Sequence, residues 1–383
     1  MRGLASRTRG FERTLIRKMY DEAPKQAIDL GIGQPDLDPP QALQRAAEEA
    51  AHAGGAYSTN PGLIELREAI ARRYPFRSGA DEIVVTVGSA EAISLAFFAL
   101  VEPGTKVLVP DPGYPAYANL ARLLGAEPAS YPLRANYQYS LQADDILDRL
   151  DEEVSLVIFN SPGNPTGGVH AEEQLARVVS ELKWQGIPFV SDEVYEAYCY
   201  SPAKHFSPAS LAPELGITVT SLSKSHNLMG WRIGWLAAPA PWIPSLVALH
   251  QHVVTCAPTL AQRVAIAALA GAGADEIERN LERFAKRRTL ALERLADIPQ
   301  LECVWAEGAF YCFVNVPGCE SSLELARFLM RETGVITIPG IGFGSRGEGC
   351  LRVSYAVDEQ TLERGLEALA RGLEKAPGLS VPS

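Results

Sequence analysis

Thr220-Ser221-Leu222-Ser223-Lys224-Ser225-His226-Asn227-Leu228-Met229-Gly230-Trp231-Arg232-Ile233-Gly234 joins two apolar runs, Ile217 to Thr220 before it and Trp231 to Ala238 after it. Three serines (221, 223 and 225) and one lysine sit between them, Arg232 stands at the start of the second run, and Gly230 and Gly234 lie where the backbone must bend. A lysine held between two strands is partly dehydrated, which lowers its pKa and frees its amine as a nucleophile. Ser221, Ser223 and Arg232 are neutral and charged donors of the kind that hold a phosphate. Taken alone, Ser-x-Ser-Lys describes a surface turn with a solvated lysine equally well. The rest of the chain has to decide.

Upstream, strands alternate with helices. Ile83 to Val87 is a β-branched strand, and Gly88-Ser89 opens an apolar helix from Ala90 to Leu100. That order places free backbone N–H groups and a helix dipole's positive end at the strand's carboxyl edge, an anion site in form. Lys106 to Pro110 leads into Asp111-Pro112-Gly113-Tyr114-Pro115-Ala116-Tyr117, a stiff loop in which Tyr114 is either a stacking platform or a packed aromatic. Leu156 to Phe159 ends in Asn160-Ser161-Pro162-Gly163-Asn164-Pro165-Thr166-Gly167, and the strand around Val190 ends in Ser191-Asp192-Glu193-Val194-Tyr195. Polar clusters at successive strand ends indicate an α/β fold, a mostly parallel sheet with ligand groups along its carboxyl edge. Asp192, directly after Phe189-Val190, is buried there and needs a cationic or donor partner; a protonated heterocycle would serve.

Nearer the N-terminus, Ile28 to Asp36 is an apolar run ending in a glycine turn. Gly31-x-Gly33 lacks the third glycine of a dinucleotide site, and Pro35 interrupts any helix there. Gly33 is either a simple turn or a place where backbone passes close to a ligand. A helix over 41–53 and another from Leu63 to about Arg73 flank the loop Tyr57-Ser58-Thr59-Asn60-Pro61-Gly62. Downstream, a helix from about Ala274 to Leu295 is long enough to bridge two domains. Mixed α/β structure follows, with strands at Phe310 to Val316, Gly334 to Ile338 and Leu351 to Ser354. Arg352 lies in a strand pattern among apolar residues, so it faces solvent or is held to grip a carboxylate at two points. The final helix carries leucines 362, 366, 369 and 373, with Asp358 as its N-cap.

Composition narrows the classes. The chain has 383 residues, 47% hydrophobic and 21% charged, as in a globular protein with a large core. A net charge of −11 argues against nucleic acid as a partner. Six cysteines without a Cys-x-x-Cys pair read as reduced thiols of a cytoplasmic protein. No stretch approaches a membrane span. The basic segment Met1 to Lys18 has no leader-like apolar core and reads as a mobile arm. No metal site is expected, since His250 and His252 point to different faces of a helix. No Walker A or nucleophile-elbow motif occurs.

With Lys224 in its Ser-x-Ser-Lys-x-x-x-x-x-Gly-x-Arg frame, the chain resembles the class I/II aminotransferases, pyridoxal-phosphate enzymes of fold type I. The resemblance runs from about Ile28 to the final helix. It implies a large domain on a seven-stranded-type, mostly parallel sheet over 46–284, including the start of the bridging helix. A smaller α/β domain would comprise 28–45 and 285–383, with 1–27 as an N-terminal arm. Lys224 resembles the lysine that binds the cofactor covalently, Asp192 the carboxylate on the pyridine nitrogen, and Tyr195 and Asn164 the donors to the ring hydroxyl. Tyr114 is similar to the stacking aromatic. Ser89, Ala90, Ser221, Ser223 and Arg232 resemble the phosphate cup. Arg352 matches the arginine that holds the substrate α-carboxylate, with the Gly33 backbone assisting. Tyr57 matches a tyrosine that reaches the partner subunit's phosphate, which implies a homodimer with shared sites. Ile341 stands where many members carry serine, which blurs the subgroup.

The activity implied is transfer of an amino group from an L-amino acid to a 2-oxo acid by a ping-pong route, with Lys224 as the base. No arginine stands out for a distal carboxylate, which favours neutral or aromatic donors over aspartate. A carbon–sulfur lyase or synthase of the same fold, or a non-catalytic regulator, are the alternatives.

Overall fold

The computed structural model describes residues 3, 5–8, 11–376 and 378; residues 1–2, 4, 9–10, 377 and 379–383 of the expected arm and small domain lie outside the described residues. The segment read as a mobile arm carries helix α1 (Leu15–Glu22), capped by the Thr14 hydroxyl and docked through buried Met19. Its Tyr20 donates to Asp29 Oδ1 at 2.7 Å, on the short strand β1 (Ile28–Asp29). A short amphipathic helix is marginal by itself, so this packing is what holds it.

Helices α2 (Gln41–His52) and α3 (Ile64–Ala71) bracket the Tyr57 loop. The central sheet then collects β2 (Ile83–Thr86), β3 (Lys106–Asp111), β4 (Glu127–Pro132), β5 (Val154–Asn160), β6 (Phe189–Asp192), β7 (Gly216–Ser221) and β8 (Gly234–Ala237). Their order is β2-β8-β7-β6-β5-β3-β4, parallel throughout except for β8, which runs against both neighbours. Both faces are covered. Leu156 and Ile158 of β5 pack into one core cluster, Val157 and Phe159 into the other. Two-sided burial explains why these strands read as unbroken apolar runs rather than alternating ones. Strand β4, Glu127-Pro128-Ala129-Ser130-Tyr131-Pro132, has no such run. It is an edge strand, where proline's missing donor is tolerated.

The covering helices include α4 (Gly88–Leu100), α5 (Ala116–Leu123), α6 (Ala143–Leu147) and α7 (Glu172–Gln185). After the four-residue α8 (Leu222–Ser225) come α9 (Ile243–Val254), α10 (Thr259–Leu269) and the long α11 (Ala274–Ala296). Helix α11 buries Phe284, Arg287 and Leu292, and Arg287 grips both carboxylate oxygens of Asp36 at 2.7 and 3.1 Å. The remainder forms a second sheet in the order β12-β13-β10-β9, built from β9 (Glu302–Cys303), β10 (Tyr311–Asn315), β12 (Ile338–Pro339) and β13 (Cys350–Ser354). Strand β11 (Val335–Ile336) pairs with β1, and α12 (Ser322–Thr333) and α13 (Glu359–Lys375) complete the chain. Asp358 caps α13 by accepting from Thr361 N–H at 2.9 Å.

Candidate active site

Parallel strands deliver their carboxyl ends to one edge. Here that edge receives the residues after Thr86, Asp111, Asn160, Asp192 and Ser221 in turn. Antiparallel β8 begins at the same edge, so Arg232, two residues before it, returns beside the start of α4. A cavity of about 640 Å³ opens there. One end is lined by Ser89, Ala90, Ser223 and Arg232, and the floor by Asp192, Tyr195 and Asn164. Gly33, Tyr114 and Arg352 complete the wall around Lys224.

The helix N-terminus at that end is shaped by close approach. Gly88 has φ +74°, and a Cβ there would lie 2.5 Å from Arg232 Nη2. Arg232 donates to Met229 O at 2.9 Å, beside the free N–H groups of α4. Ser221 lies outside the cavity lining; it is buried, and its hydroxyl accepts the Ser223 N–H at 3.4 Å as the cap of α8.

Burial and the charges of Arg352 and Arg232 push the Lys224 amine down to about 8, against the pull of Asp192. Its Nζ donates to Gly33 O at 2.7 Å. Glycine at 33 is required because the Tyr311 hydroxyl fills the space: a Cβ would come within 2.5 Å of it.

Asp192 is pushed up to about 6 by burial, although Tyr117 donates to Oδ2 at 2.6 Å and Val194 N–H to Oδ1 at 3.3 Å. Two neutral donors do not replace the water a carboxylate gives up, so the site favours a cation beside it. Asn160 holds the neighbouring loop, donating to Asp192 O and accepting from Asn164 N–H, both at 3.0 Å.

Arg352 is buried, not solvent-facing. Its guanidinium sits 4.3 Å from the Tyr311 ring centroid and 4.9 Å from that of Phe343. It donates to Asn164 Oδ1 at 2.8 Å and Gly31 O at 2.6 Å, while Nε has no partner. A caged guanidinium with a spare donor is suited to a planar carboxylate.

Three lining or supporting residues escaped the sequence reading. Tyr311 shares a face with Phe313, the register partner of Arg352, and its hydroxyl lies 2.9 Å from that of Tyr195. Period-two alternation along Phe310-Tyr311-Cys312-Phe313 was a signal that could have placed it. Tyr117 was read as loop but lies in the first turn of α5. Arg17 of α1 lines the cavity mouth. Tyr57 is 84% exposed and outside this cavity, although Asn60 and Thr259 tie its loop down by bonds of 2.8 and 2.9 Å.

Among the described residues, Glu193, Glu196 and His205 bring possible metal-ligand atoms within 4.8 Å of one another. Each is already paired: His205 and Ser207 with Glu193, and Arg73 with Glu196.

An anion cup, a softened amine, an under-solvated carboxylate and a caged guanidinium with an orphaned Nε fit pyridoxal phosphate and an amino acid together. The family model for aminotransferase class I and II matches residues 25–369. An aspartate aminotransferase of Pyrococcus horikoshii is 32% identical over 97% of both chains. The aromatic-amino-acid aminotransferase 2 of Thermococcus litoralis is 33% identical over 94% of this chain and 95% of its own. The aspartate aminotransferase of Thermus thermophilus, solved with maleate, superposes with a TM-score of 0.92 at 30% identity, covering 97% of this chain and all of the other (100%). Sequence, fold and donor set agree: this chain belongs to the class I and II aminotransferases, transaminases that work with pyridoxal phosphate.

Proposed function

We propose that the chain transfers the α-amino group of an L-amino acid, neutral or aromatic in preference to aspartate, to a 2-oxo acid by a ping-pong sequence. The observation that carries this reading is the Lys224 amine, lowered to about 8, in one cavity with buried Arg352 and Asp192. When bound, pyridoxal phosphate supplies an aldehyde that exchanges amines and a ring that accepts electrons released at Cα. The protein does the rest. Ser89, Ser223, Arg232 and the Ala90 N–H hold the phosphate, with Ser221 behind them as the cap that orients Ser223; Tyr114 covers the ring face. Asp192 keeps a proton on the ring nitrogen, and Tyr195 and Asn164 donate to the ring hydroxyl. Arg352, with the Gly33 backbone beside it, orients the α-carboxylate. Lys224 would take the proton from Cα and return it to the cofactor's former aldehyde carbon, two bonds away across the nitrogen, its neutral form being accessible near physiological pH.

Ile16, Ile32, Tyr114 and Tyr311 give the substrate side an apolar and aromatic lining, which supports the preference. Relatives named for aspartate and for aromatic amino acids bracket it. A fixed loop with an outward-facing Tyr57 supports a homodimer in which that phenol reaches the partner's phosphate. The division into an arm (1–27), a small domain (28–45, 285–383) and a large domain (46–284) belongs to the same reading. So does a cytoplasmic location, in keeping with six unpaired thiols. No helix among the described residues is long and apolar enough to cross a membrane.

The test is a panel of amino acids scored for oxo-acid-dependent transfer and, separately, for ammonia release. Parallel double-reciprocal lines with an aromatic donor and no ammonia are expected. Ammonia without an acceptor would make the chain a lyase.

A further inference from the structure

The anion cup is a backbone turn, and its N–H groups are useful only if the turn is held. Val87 precedes α4 as its N-cap and has no side-chain oxygen with which to cap the helix. Its carbonyl accepts from Arg232 Nη2 at 3.4 Å, and Thr86 Oγ1 donates to the Gly88 carbonyl at 3.0 Å. Strand β8 presses from the other side: a Cβ on Gly234 would lie 2.7 Å from Gly88 C and from Ser89 N. The Val87 N–H donates to Glu91 Oε2 at 2.6 Å, in the manner of the reach-back half of a capping box. Glu91 thereby anchors the residue directly before the Gly88-Ser89-Ala90 turn.

Glu91 is itself held. Its Oε1 lies 2.8 Å from Nδ1 of His250 in α9, and the two side chains are 8% and 0% exposed. A carboxylate only accepts, so Nδ1 carries the hydrogen. Nε2 of the same ring is buried without a partner. That is an unfavourable place for an imidazole among the apolar side chains of α4 and α9, where a hydrocarbon would leave nothing unsatisfied. What the imidazole adds there is its bond to Glu91. With Oε2 on Val87 and Oε1 on His250, the carboxylate is fixed at both ends. Its negative charge does not help the ligand, because the helix end that draws a phosphate is the one Glu91 already occupies. Its use to the cup is therefore the bond to Val87. Neither Glu91 nor His250 lines the cavity, and the chemistry described above employs neither.

We propose that Glu91 and His250 are positioning residues for the cofactor's phosphate: Glu91 fixes the turn that aims the Ser89 and Ala90 N–H groups, and His250 fixes Glu91. This rests on the aminotransferase reading and adds to it two residues outside the cavity wall.

Pyridoxal phosphate and pyridoxal differ only in the phosphate, so together they isolate the cup. The full-length protein, stripped of cofactor, is titrated with each by absorbance, and thermal unfolding checks that every variant is folded. Glu91→Ala should weaken pyridoxal phosphate about 10- to 100-fold and pyridoxal by less than about 2-fold. Glu91→Gln keeps an acceptor for Val87 and should stay within about 3-fold of wild type for both. His250→Phe should weaken pyridoxal phosphate selectively, and should add less than about 2-fold to Glu91→Ala, because it acts through a side chain already removed. Equal weakening of both probes would make the pair a general support of the fold and overturn the proposal. Unchanged pyridoxal phosphate binding in Glu91→Ala or in His250→Phe overturns it as well. So does a Glu91→Gln as weak as Glu91→Ala, or additive losses from the two residues. Arg232→Gln reports on the parent reading: it should weaken pyridoxal phosphate and spare pyridoxal. If it spares both, the phosphate is not held in this cup and that reading fails whatever Glu91 does.

Discussion

Tyr117 donates its phenolic hydrogen to Asp192 Oδ2 across 2.6 Å, with both side chains almost wholly withdrawn from water. The bond orients the carboxylate at the sheet edge and stabilises its charge, yet leaves it raised to about 6. The other oxygen accepts only the Val194 N–H at 3.3 Å, so a cation placed there would complete the solvation that these two neutral donors do not.

Asp192→Asn keeps the shape and removes the charge. Steady-state kcat should fall by at least ~10²-fold, the lower end of the usual acid–base contribution. Tyr117→Phe leaves the charge and removes one donor, so its loss should be about tenfold. A near-normal kcat in Asp192→Asn would remove this residue from the ring nitrogen.

Lys224 becomes neutral as pH rises through about 8 rather than through 10.5, because burial and the Arg352 charge disfavour the ammonium. In cofactor-free protein, its labelling by an acylating reagent, followed by peptide mass spectrometry, should rise with its midpoint near pH 8 and level off about one to two pH units higher. Arg352→Gln removes a like charge, so the midpoint should move up. A midpoint that stays near 10.5 in the wild type means the amine is solvated. Lys224→Ala should retain cofactor through the anion cup but lose turnover by several orders of magnitude, on the order of nucleophile and base loss combined.

Arg352→Lys keeps a positive charge and loses the planar fork. KM for every amino acid should rise about 10- to 100-fold while kcat changes less, since a uniform binding contact is removed. An unchanged KM would place the α-carboxylate elsewhere.

Tyr57→Phe should weaken cofactor retention by about one to two orders of magnitude, the worth of a hydrogen bond to a charged group. Pairing a Tyr57→Phe subunit with a Lys224→Ala subunit leaves one site with an intact lysine and, across the interface, an intact tyrosine. That site should hold cofactor like wild type. If it releases cofactor as the Tyr57→Phe homodimer does, the tyrosine does not act on its partner.

The anion cup and the carboxylate floor were legible in the sequence because strand direction is a local property. Ser89, Asn164 and Lys224 each follow a recognisable strand within a few residues, and Asp192 ends one. Parallel pairing then brings those ends together without further information. The Ala274–Ala296 helix and the Asp358 cap were legible for the same reason, being set by short-range pattern and capping chemistry.

What only the tertiary structure decided are contacts between segments with no local reason to meet. Arg352 could have faced solvent or substrate; pairing of β13 with β10 put it between Tyr311 and Phe343. Lys224 meets Gly33, 191 positions away, and Gly33 is held to glycine by a tyrosine hydroxyl from a third segment. Arg17 carried no signal at all. An exposed basic residue on a short helix is ordinary in sequence, and only the burial of Met19 and the Tyr20–Asp29 bond aim it at the cavity. Periodicity reports which face of an element is buried, but not which distant surface buries it, and the substrate end of this site is made of such surfaces.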